Sequence, residues 1–199
     1  MRKLNTPAKA QDFLNRLEFN FEERGETLSS PLAVLERGSA HCFEGALLGA
    51  YLLSLHGFKP LVMHLGTDIK KKDFDHVIAP FRKNGRWGAL SKTNHGVLRY
   101  REPVYRDIRE LAMSYFHEYF LDNGEKTLRR YSRPLYLGKT KKGWETSEQD
   151  LWFLDKKLDQ AKHYDIVPRG ILKGLRKADK IEVKMGKITE FDRMKKKRV

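Results

Sequence analysis

Apolar residues are densest between positions 42 and 53, and their spacing there predicts a buried helix. One face of that helix carries residues at intervals of four, three and four, most of them small: Cys42, Ala46, Gly49 and Leu53. Small side chains on this face allow another element to pack close to Cys42. The stretch therefore predicts a central helix that begins at the only cysteine of the chain.

Cys42 is expected in the first turn of this helix, and two interpretations are open for a cysteine there. The unpaired N–H groups and the positive end of the helix dipole favour a thiolate, which a cysteine nucleophile requires. Free cysteine is also among the most frequently buried residue types, so an inert core residue fits the same position. The position alone does not decide between the two.

Four further segments have apolar residues at helical spacing or helix-start signals. The helices expected from them span about residues 7–21, 31–35, 104–120 and 147–163. Thr6-Pro7 and Ser30-Pro31 each combine a capping hydroxyl with a proline at the first helical position. These segments predict amphipathic helices that pack on the body of the protein.

After Gly57 the apolar period shortens, and strands are expected at residues 60–65, 75–83 and 86–90. Asn84-Gly85 lies between two apolar runs and predicts a two-residue hairpin turn. In that register the numbers of paired residues add up to 169, so Ile78 faces Ser91. Ser91 is then diagonal to His76 on the same face, within reach of a polar contact.

Two stretches together resemble the transglutaminase-like superfamily. Residues 39–46, with Leu53 and Gly57-Phe58-Lys59-Pro60, are similar to its cysteine helix, and Asp75-His76-Val77 with Asn84-Gly85-Arg86-Trp87 is similar to its histidine strand and turn. The match covers roughly residues 28–95, which is under half of the chain.

The resemblance implies an α+β, papain-like core in which the cysteine helix packs on an antiparallel sheet. It implies thiol chemistry on peptide or amide bonds, by a cysteine protease, an amidase or an acyltransferase. Cys42 would be the nucleophile and His76 the general base and acid, with backbone N–H groups near Cys42 binding the oxyanion. The substrate would be the amide group of a peptide or protein.

The third member of the site departs from the family pattern. The family usually has an aspartate at the position that Ser91 occupies here. A serine can accept the imidazole N–H, but it cannot stabilise the imidazolium by charge. Asn94 is the alternative partner for the ring, although regular alternation points it away and a bulge would be needed to bring it round.

Charge divides the chain into two parts. The formal net charge is +14, and residues 131–199 hold 19 of the 40 Lys and Arg and 10 of the 26 Asp and Glu, a net +9. We expect a core at 1–130 and a basic extension at 131–199 with a helix, a hairpin around Gly186 and disordered last residues. The basic surface supports an alternative function: a catalytically weak or inactive transglutaminase-like module that binds nucleic acid or another polyanion.

Several other classes of protein fit the sequence poorly. One cysteine excludes an intrachain disulfide and a thiolate-rich metal site, and it suits a reducing compartment. The histidines show no ligand spacing and no phosphate-binding glycine loop is present, so we expect neither a metal nor a cofactor. No apolar run approaches the ~20 residues of a membrane span, and residues 1–20 lack a secretory apolar core. We therefore expect a cytoplasmic protein.

Overall fold

The computed structural model describes residues 3–71 and 73–191 and has a mixed α+β fold. Its helices are α1 (Pro7–Arg16), α2 (Pro31–Arg37), α3 (Cys42–Ser54), α4 (Ile108–Met113), α5 (Trp152–Asp159) and α6 (Lys180–Gly186). Its strands are β1 (Glu18–Phe19), β2 (Ser39–Ala40), β3 (Leu61–Thr67), β4 (His76–Lys83), β5 (Arg86–Leu90), β6 (Arg101–Tyr105), β7 (Leu128–Ser132), β8 (Leu135–Tyr136) and β9 (His163–Asp165).

One large antiparallel sheet carries most of the strands. Its order is β6-β5-β4-β3-β7-β9, with β8 paired to β3 beside this path. The two short strands β1 and β2 form a separate parallel pair. The strand that begins at His76 therefore lies in the interior of the sheet.

Helix α3 is buried on almost all sides because it lies between the sheet and two other helices. Ten of its residues are buried, and it packs on β4, α1 and α2. On this face of the sheet Val77, Phe81 and Leu90 share a core with α3, and helix α5 also contributes to it. Ile78 and Ala89 point to the opposite face, where they join the core under α4.

The hairpin register expected from Asn84-Gly85 is confirmed. Ala79 pairs with Leu90 and Lys83 with Arg86, so paired residue numbers add up to 169 along the whole ladder. Both turn residues adopt positive φ, 49° at Asn84 and 76° at Gly85. A two-residue turn of this conformation matches the twist of the strands it joins, which explains why so short a signal sets the register.

Three expected helices are shorter in the structure. The first begins at the Thr6 cap as expected but ends at Arg16, because the chain then pairs as β1 with β2. The segment 104–120 divides into the end of β6, helix α4 and a 3-10 turn, since Asp107 caps a new helix after the strand. The segment 147–163 is helical only over Trp152–Asp159.

The hairpin expected around Gly186 is wrong, because residues 180–186 form helix α6. Asp179 accepts hydrogen bonds from the N–H groups of Ile181 and Glu182, and the Glu182 carboxylate accepts from the Asp179 N–H at 2.7 Å. This reciprocal cap satisfies the first N–H groups of a helix. The disorder expected for Lys195–Arg198 lies outside the described residues.

Strand β7 spans the expected boundary at residue 130. It pairs with β3 on one side and with β9 on the other, so residues on both sides of 130 belong to the same sheet. The basic part of the chain thus supplies two strands of the sheet as well as α5 and α6. Its described residues are continuous with the core.

Gly45 allows the cysteine helix to approach the segment that follows β5. A Cβ at this position would overlap Cβ of Lys92, whereas a Cβ at Gly170 would meet no atom within 4 Å. We expect Gly45→Ala to lower the free energy of unfolding by about 1–3 kcal/mol through overpacking, while Gly170→Ala leaves it nearly unchanged. Urea denaturation of both variants measures the difference, and equal stabilities would contradict this packing.

Candidate thiol active site

The backbone before α3 places Cys42 at the first residue of the helix. Gly38 ends α2 in the left-handed conformation with φ 74°, and the β1–β2 pair then directs the chain to His41, which adopts an extended conformation as the helix cap. Cys42 is half-buried, and its helix runs from the site into the core. The thiol therefore lies at the positive end of the helix dipole.

A buried carboxylate holds the segments around this helix start together. Glu44 is fully buried and accepts hydrogen bonds from Arg37 Nη2 at 2.7 Å and from the His41 N–H at 3.2 Å. It also accepts from Thr27 Oγ1 and the Ser29 N–H. Burial alone would raise the pKa of Glu44, but the charge of His41, hydrogen bonds from Arg37 and Asn20, and the charge of Arg37 lower it. The loop before α2 and the cap of α3 are thus tied to one anion.

His76 and Ser91 contact each other at the start of β4 and just after β5. His76 Nε2 lies 2.8 Å from Ser91 Oγ, and Ser91 Oγ lies 2.6 Å from the carbonyl oxygen of Leu98. The hydroxyl has one hydrogen, and the carbonyl can only accept, so the Ser91 O–H donates to Leu98. Ser91 therefore accepts from His76 Nε2–H, which leaves Nδ1 as the ring nitrogen available to the thiol.

The backbone conformation of Leu98 orients its own carbonyl oxygen, which accepts the Ser91 O–H. Its φ is 62°, a left-handed conformation that is uncommon for a residue with a side chain. Its N–H donates to Glu118 Oε2 at 3.1 Å, and Glu118 is paired with Arg101. A residue keeps such a strained conformation only when the contacts around it hold it there. Here the N–H and the carbonyl oxygen of Leu98 are both hydrogen-bonded.

The Cys42 thiol is hydrogen-bonded to two imidazoles, those of His41 and His76. Burial would raise its pKa, but hydrogen bonds from the side chains of His41 and His76, with their charges, lower the pKa of Cys42 to about 5. At pH 7 the sulfur is therefore a thiolate. A lowered thiol pKa next to an imidazole is the pattern of a reactive cysteine rather than of an inert core residue.

His41 is the second of these imidazoles. Its Nε2 donates to the Thr27 carbonyl at 2.7 Å and lies 3.6 Å from Glu44 Oε2. Burial would lower the pKa of His41, but the Cys42 hydrogen bond and charge, with Glu44 and Glu22, raise it to about 9. His41 is thus a cation at pH 7 that connects the thiolate to the buried Glu44.

Asn94, the alternative partner of the ring, bonds elsewhere. Its side-chain amide contacts the backbone of Phe191, and His76 Nε2 is taken by Ser91. The geometry brings Cys42, His76 and Ser91 together and leaves Asn94 outside this chain of bonds.

Gln11 on α1 holds the backbone of Ser91 in place, and the sequence analysis did not identify this residue. Its side chain donates to the Ser91 carbonyl at 2.8 Å and accepts from the Ser91 N–H at 2.9 Å. Gln11 is 80 residues away in sequence and nearly fully buried. A buried polar residue on an otherwise apolar helix face was the available signal.

Asp75 bonds to His64 on β3 and not to His76. Its carboxylate lies 2.8 Å from His64 Nε2, while His64 Nδ1 lies 2.9 Å from His163 Nε2. His163 Nδ1 in turn faces the Ala161 carbonyl at 2.7 Å. These three contacts join the two rings to each other, to the Asp75 carboxylate and to the Ala161 carbonyl.

The two rings also differ from a free imidazole in their surroundings. Burial lowers the pKa of His163, although its hydrogen bond to the Ala161 carbonyl opposes this shift. Burial would raise the pKa of Asp75, but the His64 and Thr67 hydrogen bonds lower it to about 2. The Asp75–His64 hydrogen bond joins β3 to the residue that precedes His76.

A cavity of about 480 Å³ opens beside the thiol. Besides Cys42 and His76, its lining includes Phe74, Lys92 and Tyr119. Phe74 is 88% exposed, while Lys92 is buried and donates from Nζ to the Leu17 carbonyl. Burial lowers the pKa of Lys92 to about 8, with Glu190 raising it and Arg99 lowering it. The cavity combines apolar side chains with cationic side chains and carboxylates.

Neither a metal site nor a membrane span is found in the parts of the chain that the structure describes. Across 3–71 and 73–191, no cluster of three or more His, Cys, Asp or Glu side chains could hold a metal ion. None of the described helices combines the length and the apolar character needed to cross a bilayer.

Comparison with known proteins does not assign the chain to a family. No protein-family model matches it, and no curated protein matches it. The proposals below therefore rest on the geometry of the site and on the resemblance of residues 28–95.

Proposed function

We propose that this protein is a cysteine-dependent hydrolase or acyltransferase that acts on peptide or amide bonds, with a transglutaminase-like, papain-like core. The observation that carries the proposal is the juxtaposition of Cys42 at a helix start with a histidine whose far nitrogen is held by Ser91. The resemblance of residues 28–95 to that superfamily supports the same chemistry.

The reaction follows from the protonation states at the site. The Cys42 thiolate attacks the carbonyl carbon of the amide, and the first-turn N–H groups of α3 stabilise the oxygen that becomes negative. The proton released by the Cys42 thiol passes through His76 to the leaving amine, which breaks the C–N bond and leaves a thioester. His76 then takes a proton from water in hydrolysis, or from an amine in transfer, and the thioester is cleaved.

The pH dependence of thiol alkylation tests the nucleophile. We expect the iodoacetamide rate of Cys42, the single cysteine, to reach half its maximum near pH 5, against about 8.5 for an ordinary cysteine. The thiolate is stabilised by the fold, so reactivity persists as the pH falls from neutral and is lost through pH 5. His76→Ala removes one of the two imidazoles and raises this midpoint.

His117→Ala is the matched control, because His117 is exposed and lies on the 3-10 turn Phe116–Glu118. It should leave the midpoint unchanged. An ordinary thiol pKa together with no effect of His76→Ala would refute the mechanism.

Ser91 is tested by two substitutions with different expectations. Ser91→Ala removes the acceptor of the His76 N–H and should lower the thioester-forming rate about 10–100-fold, the effect of losing a hydrogen bond to a charged group. Ser91→Asp should not exceed the wild-type rate, because its carboxylate would face the Leu98 carbonyl oxygen that the serine O–H now satisfies. Single-turnover kinetics on a p-nitroanilide or p-nitrophenyl ester measures both, and a faster Ser91→Asp enzyme would contradict this hydrogen-bond direction.

A second candidate function is polyanion binding. A second cavity, and not the basic C-terminal region, is the more suitable place for the polyanion to bind. This cavity of about 530 Å³ is lined by Phe58, Lys59, Arg82, Trp87 and others. The Arg82 guanidinium lies 6.0 Å from the centre of the Trp87 ring. Aromatic and cationic groups together suit single-stranded nucleic acid. The cavity adjoins Gly57 beyond the end of the 13-residue helix α3, roughly 18 Å along the helix from Cys42.

Salt-dependent binding of a fluorescent single-stranded oligonucleotide tests this candidate. We expect Cys42→Ala to keep the affinity and Lys59→Ala/Arg82→Ala to reduce the slope of log K against log salt by about 2. Lys157→Ala, on the exposed face of α5, is the charge control and should leave this slope unchanged. Absence of binding at low salt would rule this function out.

A further inference from the structure

The residues after α6 lie along the loop that follows β5. The Gly96 N–H donates to the Ile188 carbonyl at 2.7 Å, and the Glu190 N–H donates to the Asn94 carbonyl at 2.9 Å. These two bonds make His95 and Thr189 partners in an antiparallel bridge. The loop thus has a backbone edge that accepts an extended strand.

Asn94 adds a second set of contacts to the backbone of that strand. Its side-chain oxygen accepts from the Phe191 N–H at 2.8 Å, and its Nδ2 donates to the Phe191 carbonyl at 3.0 Å. A planar amide that bonds both backbone groups of one residue recognises a main chain and not a particular side chain. The Ile188 side chain is 60% exposed, so this strand is held mainly through its backbone.

The same loop and the residues just before the strand line the thiol cavity. Thr93, Asn94 and His95 line it together with Cys42 and His76, and so do Gly186 and Lys187, which lead into residues 188–191. A strand on this edge therefore runs beside the nucleophile. Pairing of an extended peptide with an exposed backbone edge is a general mode of peptide recognition.

Two further contacts hold residues 188–191 through their side chains, those of Glu190 and Phe191. Arg99 and Glu190 form an ion pair of 2.8 Å, with both side chains partly exposed. Lys92 Nζ lies 5.1 Å from the centre of the Phe191 ring. One partly exposed ion pair and a few hydrogen bonds at the protein surface give a low local free energy of opening compared with the strands of the sheet. The strand can therefore leave this edge without unfolding of the sheet.

We propose that the 94–96 edge is the peptide-binding edge of the thiol site, that its ligand is an extended polypeptide segment, and that residues 188–191 of the chain occupy it in competition with that ligand. The inference rests on the proposed function, because it names the substrate class of that site. It makes an extended peptide, rather than a small amide, the substrate.

Full-length Glu190→Pro and Glu190→Ala variants separate backbone pairing from side-chain effects. Both lose the ion pair with Arg99, but only proline also loses the N–H that donates to Asn94. The probe is an acetylated, amidated and labelled peptide with the sequence of residues 186–191, and its binding is followed by fluorescence anisotropy. We expect about tenfold tighter binding to Glu190→Pro than to Glu190→Ala, since one hydrogen bond of the competing strand is lost.

A second peptide with proline in place of its glutamate should bind Glu190→Pro about tenfold more weakly than the first peptide does. Bound peptide should also slow alkylation of Cys42 in Glu190→Pro. Thermal melting of both variants shows whether they are folded, and slowing of wild-type alkylation by excess peptide provides the same test without a substitution. Equal binding by the two variants, or equal binding of the two peptides, would overturn the inference.

These outcomes are separable from failure of the proposed function. A low thiol pKa without peptide binding would refute the peptide edge alone. Peptide binding by a protein whose Cys42 has an ordinary thiol pKa of about 8.5 would refute the thiol chemistry alone.

Discussion

The thiol site depends on a carboxylate that the fold has removed from water. Glu44 is fully buried one turn into α3, and every hydrogen bond it accepts comes from a segment that surrounds Cys42. An ion this deep is tolerated only when its oxygens are satisfied, so the loop before α2, Arg37 and the His41 backbone must be in place together. The same constraint fixes the His41 ring beside the sulfur. Formation of the site and completion of this end of the core are therefore one event.

The bonding of Ser91 explains how a ring can be oriented without an acid. The hydroxyl donates to Leu98 and accepts from His76, so the imidazole tautomer follows from a single hydrogen atom. What a serine cannot supply is negative charge opposite the imidazolium. In this site negative charge comes from the thiolate itself, and His41 supplies a cation next to it. The negative charge next to His76 therefore lies on the Cys42 sulfur and not on the residue that contacts His76 Nε2.

Local signals predicted the parts of the fold that depend on neighbouring residues. The mixed α+β class, the helix start at Cys42 and the register of the Asn84-Gly85 hairpin are all confirmed by the structure. That register correctly placed Ser91 within reach of His76. The roles of these residues in catalysis remain a proposal.

The parts of the site that the sequence did not reveal depend on contacts between residues far apart along the chain. Gln11 reaches Ser91 across 80 residues, and the bonds from Asn94 to Phe191 span 97. Neither contact leaves a local pattern that identifies its partner. The hairpin expected around Gly186 was wrong because Asp179 and Glu182 cap a helix there. Polar residues that seem isolated in sequence, such as Gln11, were the unused clues.

The shifted pKa values of Cys42 and His41 change the electrical description of the protein. The formal charge of +14 counts every histidine as neutral and the thiol as uncharged. In the folded chain at pH 7 His41 adds one positive charge and Cys42 adds one negative charge. These two charges leave the sum unchanged, but they place a pair of opposite charges at the start of α3. The titration curve of the native state, and with it its electrophoretic mobility at acidic pH, reports the folded site and not only the amino-acid content.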